Sequence, residues 1–348
     1  MERYIGLDVH AKSSTYAVNS ESGKRLSSGV VETNGRALIE AIKTVPGRTH
    51  VCLEEGAQSE WLYEVLSPHV DRIVVTHLEE SKRGRKDDLT DAFSRAEELR
   101  IGAVKPVFKD GGRMGQLRAH VDVQVQVTAD VVRVQNRLKA LYRSRGVAVT
   151  GGAVYTQSHR EEYLGKLPKA YQPSGRLLYA QFDALREVKK QADQQLIEQS
   201  HKHAIARTLE TCPGLGPIRV AQLLATVLTP HRFRGARQLW TYSGLGVVMR
   251  SSSDWTMTPS GWQRADVRKT RGLNRNYNRR LKQVFKGAAT AVIAHQLEPM
   301  YGDYMRLTEQ GTKPPMAKLT LARKIAATVL AMWKNQEVYD SEKHRTQG

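Results

Sequence analysis

The chain is poor in cysteine, in long apolar runs and, beyond its first third, in acidic residues. Cys52 and Cys212 are the only thiols among 348 residues. That count excludes a disulfide framework and the paired-cysteine spacing of a zinc site, and it points to a reducing compartment. No apolar stretch reaches the ~18 residues that a membrane-spanning helix needs, and the first residues lack the apolar segment of a secretory signal. Nothing reads as a lipid anchor or an interfacial helix, so no membrane partner is expected, and the expected location is cytoplasmic. The scarcity of acid is local. Residues 1–110 carry 16 Lys and Arg against 18 Asp and Glu, a balance of −2. Subtraction from the totals of 54 and 35 leaves 38 against 17 for residues 111–348, a balance of +21. A near-neutral head on a strongly basic body suits a polyanionic partner, nucleic acid before any other. The length suffices for two or three domains with cores of their own.

What is present in the first third is an ordered set of strands and helices. Residues 3–9 (RYIGLDV) read as a buried strand ending near Asp8, residues 15–19 alternate as a second strand, and a Ser22-Gly23-Lys24 turn leads to a third at 26–32. Asn34 is placed to cap a helix over 36–45. Residues 50–53 (HVCL) read as a fourth strand running into Glu54 and Glu55, 60–66 as a helix, and 72–76 (RIVVT) as a fifth strand. A last helix covers 87–99, with Ala92, Phe93, Ala96 and Leu99 as its apolar face. It follows the basic run Lys82-Arg83-Gly84-Arg85-Lys86 and opens on Asp87, Asp88 and Asp91. Alone, such acids serve a helix N-terminus, through capping and the dipole. Asp88 and Asp91, three residues apart, also share one helical face. The order of a three-strand meander followed by helix-crossed parallel strands is similar to that of the RNase H-like fold. In that fold the positions of Asp8, Glu54, Asp88 and Asp91 meet at one end of the sheet.

Three motifs carry a closer likeness: GLDVHAK at 6–12, CLEEG at 52–56 and KDDLTDA at 86–92. They resemble the four-acid (DEDD) signature of a bacterial insertion-sequence transposase family, which includes the Piv-type DNA invertases and the bridge-RNA-guided recombinases. The N-terminal domain of that family is similar to the RuvC junction resolvase. The resemblance implies that Asp8, Glu54, Asp88 and Asp91 are catalytic ligands of Mg²⁺ or Mn²⁺. Glu55 competes with Glu54, and Asp87 competes more weakly with Asp88, because the Asp-x-x-Asp spacing to Asp91 selects Asp88. The chemistry is coherent. Hard oxygen ligands suit Mg²⁺, two ions ~3.5–4 Å apart stabilise both oxygens of a phosphoryl transfer, and four close carboxylates are costly without cations. His10 lies on the same side of a strand as Asp8, where it either orients a carboxylate or is a surface histidine.

Residues 104–110 read as a connector. In 117–142 two periods compete: 121–127 (VDVQVQV) alternates like a strand, whereas Leu117, Val121, Val125, Thr128, Val131, Leu138 and Leu141 follow a helical register. Length favours a long helix, and the resemblance implies one. Residues 146–175 read as irregular, and a second helical pattern runs through Leu178, Phe182, Leu185, Val188, Ala192 and Leu196. The two patterns look like an antiparallel coiled-coil arm, serving as an intramolecular hairpin, a dimer contact or both.

In the basic C-terminal third, Cys212-Pro213-Gly214-Leu215-Gly216-Pro217 resembles a helix-hairpin-helix element whose free N–H groups suit phosphate, and a plain tight turn fits the same residues. Ser251-Ser252-Ser253 read by composition as a flexible loop. In the resembling family a Gly-Leu element is followed by a catalytic serine, and ungapped counting from Gly244-Leu245 places it at Ser252. Ser253 stands where that family usually has glycine, which keeps Ser251 and Ser253 as alternatives. A serine nucleophile needs activation, and Arg250 is near in sequence. Arg264, Arg268, Lys269, Arg271, Arg275, Arg279 and Arg280 follow, with Lys282 and Lys286 beyond. Arg268, Arg271 and Arg275 share a face if this segment is helical, although Gly272 interrupts it. Together with Arg250, and with Trp262 and Tyr277 as stacking surfaces, they form the expected nucleic-acid contact. Residues 288–296 and 317–333 read as closing helices, the second burying Leu321, Ile325, Val329 and Trp333.

The expected organisation is an α/β RNase H-like (RuvC-like) domain over 1–110, a helical coiled-coil region over 111–204, a mainly α-helical serine-containing domain over 205–336 and a frayed tail over 337–348. The resemblance implies a transposase or site-specific recombinase that cleaves and rejoins donor and target DNA through a covalent serine–DNA link. It further implies a structured guide (bridge) RNA and a homo-oligomer, dimer or tetramer. Its active sites would join the acids of one subunit to the serine of another, in the bacterial cytoplasm at the nucleoid. Two other functions fit the same residues: an RNase H-like nuclease such as a junction resolvase, using metal and water without a protein nucleophile, and a non-catalytic nucleic-acid-binding protein.

Overall fold

The computed structural model describes residues 1–77, 87–109, 112, 114–252, 255–264 and 268–346, and at 249–252, 264, 268–271 and 344–346 the backbone alone. The basic run at 82–86 and Ser253 therefore lie outside the described residues. The chain divides into two compact units, Met1–Gly115 and Gln116–Gly348.

In the first unit, β1 (Glu2–Val9), β2 (Ser13–Ser20) and β3 (Arg25–Glu32) form an antiparallel meander. Helix α1 (Gly35–Lys43) starts where the Asn34 side chain accepts the Ala37 N–H at 2.8 Å. Strand β4 (Arg48–Glu54) then pairs parallel with β1. Helix α2 (Ser59–Leu66) leads to β5 (Arg72–Thr76), parallel with β4. Helix α3 (Asp88–Arg100) is followed by β6 (Pro106–Val107), giving the sheet order β3-β2-β1-β4-β5-β6. The segment expected to be a plain connector thus supplies a short edge strand. Pro106 is tolerated there because an edge leaves one side of the backbone without a ladder partner.

Alternation along the strands sorts the two faces. Ile5, Leu7, Val51, Leu53 and Val75 pack with Leu38 and Ile42 of α1 and Leu62 and Leu66 of α2. Cys52 and Val74, one residue out of phase, pack with Leu99 of α3 on the opposite face. Gly6 also faces α3: a Cβ there would lie 1.9 Å from the Ala92 carbonyl oxygen. Only glycine allows α3 to lie this close to β1.

In the second unit, the helical register prevails over the alternating one in α4 (Gly115–Arg143). After α5 (Arg160–Gly165) comes α6 (Gln172–His201). The stretch expected to be irregular holds α5 and the first turn of α6, whose Pro173 suits a helix start. Helices α4 and α6 run antiparallel. Gln124 donates to Asp193 at 2.8 Å, and the hydroxyls of Tyr142 and Tyr179 are 3.0 Å apart. Val131, Val134, Leu138 and Tyr142 share a core with Leu164, Tyr179 and Phe182.

Next come α7 (Ala204–Glu210), α8 (Pro217–Val227) and α9 (Ala236–Tyr242). An antiparallel ribbon follows, with β7 (Val247–Ser252) paired to β10 (Arg268–Leu273) and, between them, β8 (Trp255–Thr258) paired to β9 (Gly261–Arg264). Helices α10 (Arg279–His295), α11 (Met300–Glu309) and α12 (Pro314–Asn335) close the unit, with Leu321, Ile325, Val329 and Trp333 of α12 buried. The terminal segment differs from a frayed tail: residues Ser341–Thr346 form α13, and the Tyr339 N–H donates to the Thr211 hydroxyl at 2.9 Å. Among the described residues no helix is long and apolar enough to cross a membrane.

Candidate active site

The last paired residues of β1 and β4 are Leu7 and Leu53, so Asp8 and Glu54 leave the two strands side by side. Both have the phase of Gly6 and Cys52, which places them on the α3 face. Helix α3 begins at this end of the sheet. Its N-cap is Asp87, whose carboxylate accepts the Thr90 N–H at 3.3 Å and the Thr90 hydroxyl at 2.8 Å. With Asp87 occupied in capping, Asp88 and Asp91 start the helical stripe that continues at Arg95.

Arg95 is the residue that sequence reasoning missed. Its guanidinium pairs with Glu54 and lies 3.4 Å from Asp8 Oδ1, with only 13% of its side chain exposed. Its spacing, four residues after Asp91 and seven after Asp88, puts it on their helical face but by itself marks only another surface charge. His10 Nε2 lies 3.3 Å from Asp8 Oδ2 and 3.3 Å from Asp88 Oδ2, so this histidine bridges two of the four acids. Glu55 turns elsewhere, to Lys109 at 3.3 Å, as expected of the neighbour of an inward-facing residue. Burial pushes the Asp8 carboxyl above its ordinary value. Asp88 and Asp91 push in the same direction, while Arg95 and His10 oppose them.

These residues fit a divalent cation. Asp8, His10 and Asp88 each offer one ligand atom, and the three atoms lie within 4.8 Å of one another. Carboxylate oxygens with one imidazole suit Mg²⁺ or Mn²⁺.

Known families match both units. Residues 5–144 match a DEDD transposase model of the IS110 type, and residues 206–305 match the transposase model of the IS116/IS110/IS902 family. The chain belongs to this insertion-sequence transposase family. A curated relative, the insertion element IS116 uncharacterized 44.8 kDa protein of Streptomyces clavuligerus, is 27% identical over 158 residues. The match covers 45% of this chain and 36% of the relative, so the chain spans little more than a third of that relative's length.

The second match of this transposase-family chain contains the serine segment, and here the structure corrects two expectations. Ser251 and Ser252 are not in a flexible loop. They end β7, with Ser252 opposite Arg268, Ser251 opposite Lys269 and Arg250 opposite Thr270. Arg268 and Arg271 do not share a helical face with Arg275, because both lie in β10. The backbone groups of 268–273 are satisfied across the ribbon by 247–252, and Gly272 in the middle weakens any competing helix. Arg264 ends β9.

Around the ribbon, Arg275 and Arg279 are exposed, while Arg280 donates to Asp122 of α4 at 2.6 Å. Met257 pairs directly with Trp262, and Trp255 shares their ribbon face. All three are more than half exposed, and Trp255 and Met257 are exposed apolar side chains that sequence reasoning passed over. Tyr277 is less free, with its ring against Gly244 and the Lys282 ammonium 4.0 Å from its centroid. The segment likened to a helix-hairpin-helix does join two helices, α7 and α8. Gly214 has φ +82° and faces the Ala288 carbonyl of α10, whereas the space around Gly216, the N-cap of α8, is open.

Proposed function

We propose that this chain is the DNA transposase, a site-specific recombinase, of an insertion sequence. The single observation that carries the reading is the meeting of Asp8, Glu54 and Asp88 around His10 and Arg95 at one end of the first unit's sheet, with Asp91 near enough to push the Asp8 carboxyl up, in a chain with two matches to transposase families. The acidic domain, residues 1–110, is RuvC-like. The segment 111–204 is the helical arm, and 205–336 carries the nucleophile. A divalent ion, Mg²⁺ or Mn²⁺, bound in this acidic cluster would neutralise charge that develops on the scissile phosphate.

Within the chain the roles divide by chemistry. His10 orients the carboxylates of Asp8 and Asp88. Ser252, with Ser251 and Ser253 as alternatives, supplies the hydroxyl. Its oxygen gives up the hydroxyl proton and bonds to phosphorus as the phosphorus–oxygen bond to the leaving deoxyribose breaks, and the leaving oxygen takes up a proton, so that none is gained or lost. A hydroxyl end of another strand reverses the step and releases the serine, so no phosphodiester energy is lost. Arg250, Arg264, Arg268, Lys269, Arg271, Arg275 and Arg279 hold the phosphate backbone. Arg280, tied to Asp122, braces α10 against α4. Donor and target DNA are the substrates, a structured non-coding RNA is the guide, and a homo-oligomer joins the acids of one subunit to the serine of another.

The test is a denaturing gel of the protein incubated with element-end DNA and Mg²⁺. A covalent protein–DNA adduct is expected, absent from Ser252→Ala and retained by Ser251→Ala and Ser253→Ala. Free cleaved ends with all three serines replaced would leave a junction-resolvase-like nuclease in its place. Omission of RNA transcribed from the flanking non-coding sequence should abolish rejoining.

A further inference from the structure

The acidic site contains a cation of its own. Asp8 is shared between two neighbours: its Oδ1 faces Arg95 at 3.4 Å, and its Oδ2 faces His10 at 3.3 Å, on the side where Asp88 lies. The other nitrogen of Arg95 pairs with Glu54. The guanidinium is therefore wedged between the acids that leave β1 and β4, while the cradle of Asp8, His10 and Asp88 lies on the opposite side of the Asp8 carboxylate.

Arg95 cannot easily leave. It is nearly buried, it is permanently charged, and α3 is held against β1 by the close contact at Gly6. Withdrawing it would leave the Glu54 carboxylate without its ion-pair partner and Asp8 with His10 alone.

We propose that Arg95 takes the place of a second divalent ion: the site binds one ion on the Asp8–Asp88 side, and the Arg95 guanidinium supplies the fixed positive charge on the Asp8–Glu54 side. Glu54 is then the residue that positions Arg95 and not a metal ligand. A guanidinium there offers both charge and planar N–H donors to a phosphate oxygen, without needing to be recruited from solution. The inference rests on the reading that these acids hold a divalent ion.

The experiment counts bound Mn²⁺ on the full chain, without nucleic acid, from the loss of the free-ion electron paramagnetic resonance signal. Wild type is expected to bind one ion. Arg95→Met keeps the stem and removes the charge, and it should bind two, the first roughly tenfold more tightly or better. Arg95→Lys should restore a count of one. Glu54→Gln, which does not depend on the folding of the Met variant, should keep the single ion with its affinity within about twofold. Two ions in wild type, one in Arg95→Met, or loss of the ion in Glu54→Gln would each overturn the proposal. No binding by any of the proteins would remove the metal site itself and this inference with it.

Discussion

Gly6 of β1 and Ala92 of α3 approach so closely that a single added methyl on Gly6 would fall 1.9 Å from the Ala92 carbonyl oxygen. This contact sets the height of α3 above the sheet. Asp88, Asp91 and Arg95 stand on the same helix, so it also sets their distance from Asp8.

Gly6→Ala should therefore damage both fold and site. The methyl meets backbone, which cannot rotate away, so α3 must lift. A loss of ~1–3 kcal/mol or more is expected. Thermal melting and Mn²⁺ titration check this together, and a variant with an unchanged midpoint and unchanged Mn²⁺ affinity would contradict the packing argument.

Asp8→Asn should separate chemistry from stability. DNA strand cleavage should fall by a factor of ~10² or more, because charge that stabilises the transition state is lost. The melting temperature in chelator should hold or rise. The folded-state carboxyl is raised, chiefly by burial, so the folded protein binds its proton more readily than the unfolded chain does. Its destabilising contribution is present above the raised value and disappears as pH falls through it, and an uncharged side chain mimics that limit. Undiminished cleavage by this variant would favour a fold without catalytic acids.

The ribbon face of Trp255, Met257 and Trp262 should act by stacking and not by charge. Trp262→Ala is expected to weaken single-stranded nucleic-acid binding by ~1–3 kcal/mol with no change in salt slope. Arg275→Gln or Arg279→Gln should instead reduce the slope by about 1. Fluorescence anisotropy across a salt series distinguishes them, and a lowered slope in the tryptophan variant would sink the stacking role.

Arg160 joins α5 to α6 through both carboxylate oxygens of Asp183, at 2.5 and 2.6 Å, and lies over the Tyr179 ring. The bond from Arg160 holds the Asp183 carboxyl below its ordinary value. The pair's stabilisation is therefore complete above the ordinary carboxylate value and is lost as pH falls through the lowered one. Asp183→Asn should cost ~1–2 kcal/mol at neutral pH, since Asp183 itself is half exposed, and should flatten the acid limb of stability. Parallel acid limbs in the two proteins would refute this.

By itself the sequence determined the elements whose cause is local. The strands and helices of the first third follow from their periods, and the caps at Asn34 and Asp87 from side chains that reach a backbone N–H three residues on. The pairing of the long helices follows from their apolar stripes. The placing of Asp8 and Glu54 at neighbouring strand ends, and of Asp88 and Asp91 in the first turn of α3, followed from element order and strand phase. Only the tertiary structure decided the rest. Edge strand β6, the ribbon at 247–273 and the anchoring of Tyr339 depend on hydrogen bonds between distant segments, which no local period encodes. The role of Arg95 is of the same kind. Seven residues along a helix from Asp88 it reads as another surface charge, and it becomes the counter-ion of Asp8 and Glu54 only because Gly6 brings that helix down onto the sheet.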